Sequence, residues 1–95
     1  MIGVLTHHWA KGDKVSQART LLDGNGIAQS NASGFVTRQT FISLTDPNKI
    51  TTMVIWQSNE VYDAWRSSPA RAAAMHGADK LWAKLPDSER FELMS

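Results

Sequence analysis

The stretch VIWQSNEVYDAWRSSPARAAAMH, residues 54–76, decides the fold, because it sets a strand, a turn and two helices in immediate succession. Thr51-Thr52-Met53-Val54-Ile55-Trp56 is rich in β-branched and aromatic side chains that suit a pleated, packed surface, and it reads as a strand ending near Gln57. Ser58 can accept from the free N–H groups of a following helical turn, and Glu60 stands where the positive end of a helix dipole favours an anion. The helix that begins there carries Val61 and Trp65 on one face. Ser68-Pro69 starts a second helix, with Ser as cap and Pro at the position whose N–H has no helical partner. Ala72, Ala73 and Ala74 then propagate helix with little side-chain bulk, leaving room for another group beside Met75 and His76.

Working outward, 95 residues make one domain over 1–95, small enough that a partner subunit would help to bury surface. A formal charge of +1 with no run of Lys or Arg gives no electrostatic footprint for nucleic acid. With no cysteine there is no disulfide, thiolate chemistry or Cys-based zinc site. The N-terminus lacks the pattern of a signal peptide, and no stretch approaches the roughly 20 apolar residues that cross a bilayer. The expectation is a soluble, cytoplasmic protein without membrane or nucleic-acid partners.

Residues 2–9 form a first strand with Ile2, Val4, Thr6 and His8 on one face and Leu5, His7 and Trp9 on the other. Neither face is purely polar, so helices cover one and a second copy of the sheet is expected on the other. Asp13 is the expected N-cap of a helix bearing Val15, Ala18, Leu21 and Leu22, whose far end is open because Gly24-Asn25-Gly26 either ends or interrupts it. A second strand spans residues 35–44, and the turn Asp46-Pro47-Asn48-Lys49 pairs it with the third as an antiparallel hairpin. Leu85-Pro86-Asp87-Ser88 is expected to break a last helix, and Arg90 to Met94 to supply a short terminal strand. The order is βαββαβ with a split second helix, an α+β ferredoxin-like arrangement. No Gly-rich phosphate loop, paired carboxylates or Ser-His-Asp order is present, so neither a nucleotide cofactor nor hydrolysis is expected.

The succession of strand, Trp56-x-Ser58, acidic turn, Tyr62-x-x-Trp65, Ser68-Pro69 and alanine-rich helix resembles the antibiotic biosynthesis monooxygenase (ABM) family, as do Gly34-Phe35-Val36-Thr37-Arg38-Gln39 and Asp46-Pro47-Asn48-Lys49. The resemblance covers residues 2–74. It implies a homodimer whose two sheets close into an α/β barrel, and oxidation of an aromatic, quinol or polyketide-like substrate by O2 without a cofactor. Such chemistry needs a base, a group to stabilise the developing oxyanion and walls that exclude water. His8 is the candidate base, chosen over His7 because it shares a face with Ile2 and Val4. Arg38 and Tyr62 are candidate anion stabilisers, and Thr6 and Met75 candidate substrate contacts. Trp65 matches the family's cavity wall, while a Trp at helical spacing from Val61 reads equally as core. Trp56 reads as packing beneath a helix. In the haem-degrading branch of the family a histidine after the Trp ligates iron, which makes His76 the ligand in an alternative reading with haem as substrate and cofactor, while a lone histidine at a helix end before Gly77 reads otherwise as a surface or capping residue. That branch carries an Asn on the first strand, where this chain has only Thr6, His7 and His8 as polar residues. A third reading is a dimeric binding module without turnover.

Overall fold

Strand β1 (Ile2–Ala10) is the centre on which the other elements are laid, and it pairs antiparallel with both β3 (Lys49–Trp56) and β4 (Trp82–Glu92). With β2 (Phe35–Ile42) at the other side of β3, the sheet order is β2-β3-β1-β4, antiparallel throughout. Helices α1 (Val15–Ser30), α2 (Asn59–Arg66) and α3 (Pro69–Ala74) complete the ferredoxin-like α+β arrangement in this computed structural model, which describes residues 1–94. Among those residues no helix is long and apolar enough to cross a membrane.

Local chemistry places the stretch around α2 and α3 as expected. The Ser58 hydroxyl accepts from the N–H of Val61 at 3.3 Å, and that of Ser68 accepts from Arg71 at 3.2 Å with Pro69 opening the helix.

Four boundaries differ from the sequence reading. Helix α1 runs unbroken through Gly24-Asn25-Gly26 to Ser30, because Ala18, Leu22, Asn25 and Gln29 form one continuous buried face. Its N-cap is Lys14, without a side-chain capping bond, and not Asp13. Strand β2 stops at Ile42, since the Ser43 hydroxyl accepts from the N–H groups of Thr45 and Asp46 and turns the chain there. In place of a last helix there is a single 3₁₀ turn, Ala78–Lys80, followed by a strand of 11 residues. Gly77, at φ 81°, takes the left-handed conformation that ends the helical segment. Pro86 lies inside β4, which an edge strand tolerates: the pairing with β1 shifts between His7–Asp87 and Trp9–Lys84, so a bulge at Leu85-Pro86 falls opposite His8.

The buried apolar residues form two clusters. Ile2, Val4, Val54, Trp56 and Trp65 lie at one end, and Ala10, Ala18, Leu22 and Ile50 at the other. On β1 and β3 the residues between them that face the helices are Thr6, His8 and Thr52. The apolar alternation is thus interrupted mid-sheet, and a cavity opens there. On the reverse face Leu5, Met53 and Ile55 sit among half-exposed Phe41 and Phe91, with no helix over them.

Candidate active site

The cavity has a volume of about 350 Å³. Strands give it Thr6, His8, Arg38 and Thr52, and helices give it Tyr62, Trp65, Arg71 and Met75. Alternation along β1 sends His8 inward and His7 to the reverse face, where its Nδ1 lies 2.8 Å from the Thr51 hydroxyl. His8 is 5% exposed, and its Nδ1 stands 3.1 Å from the carbonyl oxygen of Ile50. A carbonyl only accepts, so Nδ1 carries the proton and Nε2 keeps its lone pair. Burial lowers the pKa of His8 to about 4; the Ile50 hydrogen bond opposes that shift, while the positive charges of Arg38 and His7 add to it. The ring is backed by Trp82 at a centroid distance of 5.1 Å.

Arg38 reaches from β2 across α1, donating to Gln29 Oε1 at 2.7 Å and to the Leu22 carbonyl at 2.9 Å. Gly26 is the residue it crosses: a Cβ there would stand 2.6 Å from Arg38 Nε. A glycine that costs a mid-helix position about 1 kcal/mol therefore opens the path for a guanidinium. Burial lowers the pKa of this guanidinium, and Asp23 partly restores it. The aromatic wall is a stack in which Trp65 lies over Trp56 at 6.2 Å and 26°, with Tyr62 at 5.7 Å from Trp56. Two buried polar atoms on cavity-lining residues have no hydrogen-bond partner, Trp56 Nε1 and Asn25 Oδ1. Among the described residues no group of three His, Cys, Asp or Glu side chains is placed to hold a metal ion.

A sequence profile for the family described as antibiotic biosynthesis monooxygenase matches residues 1–77, most of the chain. The chain belongs to the ABM family. No curated protein matches its sequence significantly. Among solved structures, a family-named protein of Nitrosomonas europaea superimposes with a TM-score of 0.90 at 12% identity, over 100% of both chains. Rv0793 of Mycobacterium tuberculosis gives 0.89 at 16%, over 99% of this chain and 95% of that one. SnoaB of Streptomyces nogalater, described as a cofactor-independent oxygenase, gives 0.88 at 10%, over 99% and 93%. At these identities the likeness is one of fold.

Within this ABM domain, Thr6, His8, Arg38, Tyr62, Trp65 and Met75 all line one cavity. His76 does not. It is exposed in a separate groove beside Ser16, Gln17 and Thr20 of α1. Arg71 and Met75, four residues apart, occupy the inward side of the α3 segment, which turns the next residue away. The alternative iron ligand is thus outside the cavity. Trp65 is both core, at 4% exposure, and cavity wall, and Trp56 lines the cavity besides packing beneath α2.

Sequence reasoning passed over Asn25 and Gln29, although they continue the helical face of Ala18 and Leu22 and so put polar groups on a buried stripe. It also passed over Arg66 and Arg71. Arg66 shares a helical face with Tyr62, four residues before it, and that spacing was the available signal.

Proposed function

We propose that the protein is a cofactor-independent monooxygenase acting on an aromatic, quinol or polyketide-like substrate with O2. The observation that carries this reading is the pairing, in one cavity, of a neutral His8 with a free Nε2 lone pair and the part-buried guanidinium of Arg38. In the proposed reaction Nε2 accepts the acidic C–H or O–H proton of an electron-rich substrate, and Arg38 and the Tyr62 hydroxyl stabilise the oxygen on which negative charge develops. The substrate anion supplies electrons to O2. The resulting carbon-bound hydroperoxide loses water, so that an anthrone and O2 give an anthraquinone and one H2O. The low basicity of His8 is offset as the reaction proceeds, because the anion formed beside it stabilises the imidazolium. Trp65 and Met75, with Trp56 packed behind Trp65, provide an apolar wall beside the anion.

The same proposal includes a homodimer, supported by the apolar face of the sheet at Leu5, Phe41, Met53 and Phe91, over which no helix lies. Oxygen uptake with anthrone as substrate, in buffer with a chelator and no flavin, tests the enzymatic reading. One O2 consumed per quinone formed supports it. No uptake above that of an unrelated protein leaves a binding module, a reading that the weak basicity of His8 favours.

A further inference from the structure

Four arginines, Arg38, Arg66, Arg71 and Arg90, line the cavity, and no aspartate or glutamate does. The chain as a whole carries only +1, so this concentration of one sign is local. Of these four, only Arg90 has a carboxylate partner among the described residues, Asp63 Oδ1 at 2.7 Å, and it also donates to Asn59 Oδ1 at 3.2 Å. The partners of Arg38 are a neutral amide and a carbonyl, while Arg66 and Arg71 make no ion pair. An uncompensated guanidinium in a partly dehydrated site is costly unless an anion joins it.

We propose that this cavity selects an anionic aromatic ligand, with its rings against Tyr62, Trp65 and Met75 and a carboxylate held at the rim by Arg66 and Arg71. The assignment deepens the oxygenase reading and rests on it for the location of the site. Arg66 is exposed and Arg71 half-buried, which places them at the solvent side of the cavity, whereas Arg38 is tied to α1 deeper in its wall. The planar fork of a guanidinium matches the two oxygens of a carboxylate, and such charge-assisted pairs are the stronger hydrogen bonds. Aromatic rings bring apolar surface that Tyr62, Trp65 and Met75 can cover. A bound anion would also offset the positive charge that Arg38 places on His8 and make Nε2 the better base.

The test compares two probes of one shape, anthraquinone-2-carboxylate and 2-(hydroxymethyl)anthraquinone, by quenching of tryptophan fluorescence in the intact protein. The carboxylate is expected to bind about tenfold or more tightly than the alcohol at low salt, with the preference shrinking as salt is raised. In the double variant Arg66→Gln/Arg71→Gln, whose circular dichroism shows it folded, the preference should narrow by about tenfold. Equal binding of the two probes overturns the anionic assignment and leaves the oxygenase reading standing. If neither probe binds, both readings are overturned. A carboxylate preference in a protein that oxidises no anthrone upholds this inference and removes the oxygenase.

Discussion

His8 donates its Nδ1–H to the carbonyl of Ile50, its cross-strand neighbour between β1 and β3, at 3.1 Å. The bond fixes the tautomer, so the nitrogen left with a lone pair is Nε2. Its register follows from the same strand pairing that sets Thr6 opposite Thr52 and leaves a polar gap between two apolar clusters. The candidate base and the cavity it serves thus share one cause, the replacement of apolar residues by Thr6, His8 and Thr52 in mid-sheet.

A neutral, buried His8 makes stability depend on pH. Its pKa is about 4 in the folded chain against the model-peptide value of 6.5, so between these values the unfolded chain binds a proton that the folded one does not. The associated stability is full above pH 6.5 and is lost as the pH falls towards 4, on the order of 3 kcal/mol in all. Urea midpoints at pH 7 and pH 4.5 should separate much more in the parent than in His8→Asn, whose amide can keep the bond to Ile50. Equal separations in the two proteins would show that His8 titrates normally.

The two helical glycines should respond in opposite ways to alanine. Position 24 has open space around it, so Gly24→Ala should raise stability by about 1 kcal/mol and leave oxidation unchanged. At position 26 the added methyl group collides with Arg38, and Gly26→Ala should forfeit that gain and lower turnover by at least about tenfold as the guanidinium is displaced. Thermal melts and anthrone oxidation of the pair check this.

Trp65→Phe keeps an aromatic surface but shortens the stack on Trp56. A loss of about 1–2 kcal/mol in stability is expected, with a change in ligand affinity or turnover well beyond it. Unaltered ligand binding alongside a large drop in melting temperature would assign Trp65 to the core alone.

Sedimentation at micromolar concentration should give twice the chain mass. Met53→Lys, on the uncovered face of the sheet, should shift the protein to monomer, because a charge there cannot be buried against a second copy. A parent protein that sediments as a monomer would remove the dimer.

What could be read in the sequence was what neighbouring residues decide. Ser58, Ser68 and Pro69 act on the N–H groups next to them, and alternation alone placed Thr6 and His8 on one face. The course of α1 was hidden, because Gly26 answers to Arg38, a residue brought across the helix only by the fold. Strand β4 was hidden for a similar reason: Pro86 breaks helices locally, and only its place on an edge, at a bulge, makes it compatible with a strand. His76 had two readings, a ligand in the cavity and a surface residue before Gly77, and its exposed position is that of the second. In a segment as short as α3 the inward face depends on Arg71 and Met75, and neither had been weighed against its neighbours.

The most direct test of the central claim is the rate of O2-dependent anthrone oxidation by His8→Asn, measured beside the parent and His76→Ala. If His8 is the base, His8→Asn should be slower by about 10²–10⁴-fold while His76→Ala, altered outside the cavity, oxidises at the parent rate. A folded His8→Asn that matches the parent would contradict the account.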